Sequence, residues 1–142
     1  MFSPGKWIGE GKIYLSMIEE ELIFFTRWNI SPEEDGCIEC VQELQVKGLS
    51  DVMVNHFRIY NIKNSSFSLC MENHAIGKVE GIGVINESQI GWEFRVEKLG
   101  FEGFESYEKQ SNDSYRMQGE FSTIDQLRTT IQGKIWKQWT PS

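Results

Sequence analysis

"GKWIGEGKIYLS", Gly5 to Ser16, is the stretch on which the reading of the fold turns. Extended, it places Trp7, Gly9, Gly11, Ile13 and Leu15 on one face. A period of two belongs to a strand. Glycines inside a strand mark a bend, a bulge or a close approach of another backbone. A sheet that must coil into a small barrel uses them as kinks. The stretch therefore predicts a first strand that curves sharply, with Trp7 plugging one end of a barrel.

The same alternation recurs down the chain. "IGWEFRV" sets Ile90, Trp92, Phe94 and Val96 against Gly91, Glu93 and Arg95. "SYRMQGEF" sets Tyr115, Met117, Gly119 and Phe121 against Arg116, Gln118 and Glu120. "LRTTIQGKI" sets Leu127, Thr129, Ile131, Gly133 and Ile135 against Arg128, Thr130, Gln132 and Lys134. One buried and one wet face is the mark of antiparallel strands. Turn signals such as "SPEEDG" at Ser31–Gly36 separate the runs roughly every ten residues, as in all-β sandwiches and barrels. The expectation is an all-β fold: one domain over residues 1–142, an up-and-down antiparallel meander of about ten strands. Closing it into a barrel removes the exposed edges. "SMIEEEL" at Ser16–Leu22 reads either as one short helical turn or as a wide hairpin loop.

Gly5-x-Trp7 resembles the G-x-W opening of lipocalins and their calycin relatives, and Gly5-x-Trp7-x-Gly9-x-Gly11 is similar to the opening of nitrobindin-like barrels. The resemblance implies a calycin-like barrel that binds a small molecule. It also implies that a basic residue of the last strand packs over the tryptophan. Arg128 in "QLRTT" is the candidate, since a cation over an indole face is favourable. Gly5, Trp7, Gly9, Gly11 and Arg128 form the expected barrel-closing set. Nitrobindins hold haem iron through a histidine near the C-terminus. This chain has His56 and His74, neither in the last strands, so neither haem nor another cofactor is expected.

Composition narrows the partners. The 14 basic and 21 acidic residues give a formal charge of −7, which disfavours nucleic acid and anionic membrane surfaces. Three cysteines are an odd count, so no full disulfide framework is expected. With no recognisable export signal at the N-terminus, the reading is a cytoplasmic protein with reduced thiols. The apolar run Leu22–Phe25 would suit an interaction surface or a homodimer.

Cys37 and Cys40, with Cys70 and His74, have the superficial spacing of a zinc site. In a strand Cys37 and Cys40 point to opposite faces, so buried free thiols and no metal are expected. His56 reads as a residue of the wet face. Glu80 faces inward if Ile82 and Val84 do, and outward if Val79 and Ile85 do; the second arrangement is expected. Glu93, Glu102, Glu105 and Glu120 are read as lying mostly on polar faces.

The remaining constellation is the predicted lumen. Thr26, Trp28, Gln42, Asn55, Phe57, Trp92, Phe94, Tyr115, Met117 and Thr129 are the expected ligand-binding residues, with Phe24, Phe121 and Ile131 beside them. A mostly apolar pocket with a few hydrogen-bonding groups is what small-molecule sites look like. An interior amide needs a partner, so a ligand or water is expected beside Gln42 and Asn55. The leading function is binding of a small, largely apolar molecule. An enzyme of lyase or isomerase type would require an ionisable group deep inside, with His56, Glu80 and Tyr115 as candidates. A packed barrel would instead point to a surface-interaction module.

Overall fold

The alternating runs become ten strands: β1 (Gly5–Leu15), β2 (Glu21–Ile30), β3 (Ile38–Val46), β4 (Val52–Tyr60), β5 (Ser66–Asn73), β6 (Gly77–Ile85), β7 (Gln89–Val96), β8 (Phe101–Ser111), β9 (Ser114–Ser122) and β10 (Arg128–Lys137). The computed structural model describes residues 3–17, 20–123 and 128–138. Each strand pairs antiparallel with its sequence neighbours, and β1 also pairs with β10, so the sheet closes on itself. The expected up-and-down antiparallel barrel is what the chain forms. Ser16 and Met17 form a turn and Glu21 already opens β2, while residues 18–19 and Leu127 lie outside the described residues. A 3-10 turn at Glu97–Leu99 links β7 to β8.

Closure depends on how near β1 and β10 can come. Gly11 lies directly across from Gly133. A Cβ on Gly11 would overlap the Gln132 carbonyl oxygen and sit 2.7 Å from the Gly133 Cα. Two facing glycines let the backbones approach where side chains would hold them apart.

Parity separates the two faces. Trp7, Phe24, Trp28, Leu69, Tyr107 and Ile135 are wholly or almost wholly buried inside the barrel. Each such large side chain contributes about 1.5–3 kcal/mol through burial. The outer face carries charge on every strand, for example Lys12, Arg27, Glu43, Arg58, Glu72, Lys78, Glu93, Glu108, Arg116 and Lys134. That arrangement is the inverse of a membrane-spanning barrel, whose outer band is apolar. Among the described residues no helix is long and apolar enough to cross a membrane. The run Leu22–Phe25 is divided by the same parity. Phe24 is buried and Leu22 half-buried, whereas Ile23 and Phe25 are exposed.

The interior amides satisfy one another. Asn73 Nδ2 donates to Asn55 Oδ1 at 2.9 Å, and Asn55 Nδ2 donates to Gln42 Oε1 at 3.0 Å. Gln42 Nε2 donates to Thr26 Oγ1 at 3.2 Å, and Thr26 Oγ1 donates to the Glu43 carbonyl at 3.1 Å. At the far end Asn73 Oδ1 accepts the backbone N–H groups of Ala75 and Ile76, each at 2.9 Å. The chain ties β5, β4, β3 and β2 together from rim to interior. The expectation that Gln42 and Asn55 need a ligand or water beside them is therefore corrected: cross-strand register brings their partners into reach. Replacing Gln42 by leucine leaves the Asn55 donor without its acceptor inside the barrel. It should cost about 2–3 kcal/mol, read as a lower denaturation midpoint at unchanged denaturant dependence.

Candidate ligand site in the barrel interior

The two ends of the barrel differ. At the Gly5 end Trp7 is fully buried, its Nε1 donates to the Ser3 carbonyl at 2.9 Å, and Tyr115 meets it edge-on at 5.7 Å between ring centroids. Ile30, Ile38, Ile59 and Ile90 complete a buried layer there. At the opposite end Leu15, Leu22, Val46, Val96, Phe101 and Phe121 are only half-buried. A recess of about 700 Å³ opens at the rim of that end, walled by Val96, Phe101 and the charged Arg95, Glu97, Glu102 and Arg128 among others.

Arg128 does not reach Trp7. It opens β10 at the recess end and points outward, where its Nε lies 2.8 Å from Glu120 Oε1. The residue across from Trp7 is Lys137, nine positions further along β10, or about 30 Å of extended chain. Both the end and the face are wrong for the expected cation–indole contact. Gly5 and Lys137 lie together instead, since a Cβ on Gly5 would be 3.5 Å from Lys137 Cε.

All ten lumen candidates lie on the inner face. Thr26, Trp28, Gln42, Asn55, Phe57, Trp92, Phe94, Tyr115 and Met117 are buried and Thr129 is half-buried. Four rings form the centre. Trp28 lies 5.2 Å from Phe57, Trp92 lies 5.2 Å from Tyr107, and Phe57 and Trp92 are 5.8 Å apart. The enclosed void beside them, lined by Trp28, Cys40, Phe57, Leu69 and Trp92 among others, is only about 10 Å³. The half of the barrel toward Trp7 is thus filled by side chains, and open volume lies at the other end.

The sequence reading missed Glu105. It had been assigned with the outward carboxylates, yet it is buried inside. In "FEGFESYEKQS" the residues Glu102, Phe104, Ser106 and Glu108 take the outer face, so Phe101, Gly103, Glu105 and Tyr107 turn inward. The three polar residues of the outer set were the available signal, offset by the exposed Phe104. Glu105 lies across from Trp92 on β7 and Gly119 on β9. Tyr107 donates its hydroxyl to Glu105 Oε2 at 2.9 Å. Burial raises the Glu105 carboxyl to about 7, a shift that the Tyr107 hydrogen bond opposes. Burial also raises the Tyr107 hydroxyl. The Trp92 indole N–H is buried with no hydrogen-bond partner among the described residues.

The sign of the resulting pH dependence follows from linkage. Folded Glu105 holds its proton more tightly than the unfolded carboxyl, so the native state binds more protons between about pH 4.5 and 7. Its contribution is fully present below the unfolded value and is lost as pH rises through the folded one. The loss should amount to roughly 3 kcal/mol. Denaturant titrations from pH 4.5 to 8 should show this decline in the wild type and a flatter profile in Glu105→Gln.

The other nominated groups lie elsewhere. His56 and Glu80 are exposed on the outer face, with Val79 buried and Ile82 and Val84 exposed. Tyr115 is inside, and burial raises its hydroxyl pKa. Cys40 is also buried inside, its thiol pushed up to about 12 chiefly by desolvation. Cys37 lies outside, accepting a hydrogen bond from Arg58 Nε at 3.1 Å. Cys40 thus faces away from Cys37, and His74 is exposed in a turn; among the described residues no three His, Cys, Asp or Glu side chains converge as a metal site.

No family model matches the chain, and no curated protein sequence matches it. Solved structures do. The S-type phycobiliprotein lyase CPES from Guillardia theta aligns with a TM-score of 0.73 at 9% identity, covering 98% of this chain and 90% of that one. Rv2717c from M. tuberculosis aligns at 0.75 and 10% identity, covering 96% and 92%. EF1p2_mFAP2b, solved bound to DFHBI, aligns at 0.53 and 9% identity, covering 95% and 93%. At such identities the likeness is one of fold: an all-β, calycin-like, up-and-down barrel.

Proposed function

We infer that the barrel binds a small, largely apolar molecule in its interior, loaded through the end that carries Val96, Phe101 and Phe121. The observation that carries this reading is the pair formed by Glu105 and Trp92. Among the described residues no cation reaches the buried Glu105 carboxyl, which accepts from Tyr107, and the buried Trp92 indole N–H across from it on β7 has no acceptor, amid packed aromatic rings. A purely structural core would fill this place with hydrocarbon, because unsatisfied buried polar groups are costly. At the level of fold the reading is supported by similar barrels, one described as a phycobiliprotein lyase and another bound to DFHBI.

The route inward runs along β8. Phe101, Gly103 and Glu105 follow one another on its inner face. A Cβ on Gly103 would overlap the Phe121 ring, so that ring covers the step between rim and acid. Phe121 stacks on Phe101 at 6.0 Å and 16°. Ligand uptake requires these two rings to turn aside. The test is titration with the neutral, environment-sensitive apolar dye N-phenyl-1-naphthylamine, followed through tryptophan quenching. Saturable one-to-one binding that Phe121→Ala accelerates is the expected result. Unsaturable binding, or saturable binding indifferent to Phe121, would overturn it.

Glu105 also favours a second reading, in which it moves a proton to or from the bound molecule. In that case Glu105→Gln would abolish turnover and leave dye binding in place.

A further inference from the structure

We propose that the outer face of β10, β1, β2, β3 and β4 is where two copies of this chain meet. The proposal concerns the outside of the barrel and is independent of what its interior binds.

The exposed apolar residues here are neighbours. Trp136, Ile23, Phe25 and Val52 are 37%, 41%, 47% and 46% exposed. Trp136 lies across from the outward Ile8 on β1. Phe25 and Val52 flank Gln45 from the strands on either side, and Ile23 precedes Phe25 on the same face of β2. A groove of about 460 Å³ runs among them, walled by Ile8, Phe25, Val52 and Trp136 together with Arg27 and Glu43. Single exposed apolar side chains are ordinary on a protein surface, whereas a contiguous patch rimmed by charge marks a docking surface.

The charges say what docks. On this face Lys12, Arg27 and Lys134 balance Glu10, Glu21 and Glu43, in a chain whose formal charge is −7. A nucleic acid or an anionic membrane would call for positive charge alone. A face with both signs in equal number suits a second copy of itself, which here escapes the repulsion that the net charge imposes elsewhere. The cross-strand pairs Arg58 and Glu39, Arg95 and Glu102, and Arg116 and Glu108 close into ion pairs of 3.8, 3.5 and 2.8 Å. Arg27 and Glu43 are opposed in the same way across β2 and β3, yet among the described residues no ion pair joins them. A two-fold interface is self-complementary. With its axis along the strands, between β2 and β3, it sets Arg27 of each copy against Glu43 of the other. The same operation sets Ile8 against Val54, since these two flank that pair in one row across β1 to β4. Five strands spaced about 4.8 Å apart make the face about 20 Å wide. That is a small interface, below roughly 800 Å² per partner, so the dimer should exchange with monomer at micromolar concentration.

Sedimentation velocity on the full chain, from about 1 to 200 µM, is the test; monomer should give way to dimer across this range. Phe25→Glu should weaken the dimer at least tenfold. Val84→Glu makes the same change at a side chain 63% exposed on β6, across the barrel, and should leave it intact. Arg27→Glu should weaken the dimer, and adding Glu43→Arg should restore it. Monomer at every concentration overturns the proposal, whether or not neutral phosphatidylcholine vesicles then capture the chain. So does a dimer that Phe25→Glu leaves intact, one that Val84→Glu weakens equally, or one that the double charge swap does not restore.

Discussion

Replacing Gly11 by valine should cost about 4 kcal/mol, a large part of the margin by which a small domain is stable. The cause is geometric. A Cβ at this position would overlap the Gln132 carbonyl oxygen and approach the Gly133 Cα to 2.7 Å. Both obstacles are backbone, and no rotamer change relieves them. The β1–β10 ladder would have to spread, and that ladder closes the barrel. Lys12→Val is the control, on the neighbouring outward position. Lys12 makes an exposed ion pair to Glu21 at 3.2 Å, so its loss should leave the denaturation midpoint close to that of the wild type. Denaturation midpoints of the two variants decide the matter. A Gly11→Val protein as stable as the wild type would mean that β1 and β10 are not so close.

Trp28→Ala should cost about 3–5 kcal/mol, the range for deleting a large buried aromatic side chain. Trp28 is almost wholly buried and touches Phe57, Trp92 and Tyr107, with centroids 5.2, 6.3 and 6.4 Å away. The surrounding strands are fixed by their ladders, so the space would collapse only in part and remain apolar. An apolar cavity of that shape binds small aromatic molecules. Added indole should therefore raise the midpoint of Trp28→Ala by more than that of the wild type. A loss below about 1 kcal/mol would show that the rings do not form a packed cluster.

Which parts of this were legible beforehand follows from the kind of information each needs. Strand existence and facing were readable because they are local. Trp92 and Phe94, Tyr115 and Met117, and Ile131 and Ile135 all lie inside, as the alternation required. Glu105 was misread because carboxylates were assigned to the wet face by residue type, when the parity of its own strand places it inside. Arg128 was misplaced because a resemblance gives a partner's type, while the register of β10 gives its position.

By itself the sequence determined the all-β class, the barrel and the inner face of its clearest strands, since each rests on a period of two and on turn residues within a few positions. Only the tertiary structure decided what meets what across the lumen. It joined Thr26, Gln42, Asn55 and Asn73 in one hydrogen-bonded chain, filled the Trp7 half with rings, and set Glu105 opposite Trp92. Those contacts depend on the register between consecutive strands, which no single strand's alternation specifies and where a shift of one residue exchanges the inner face for the outer.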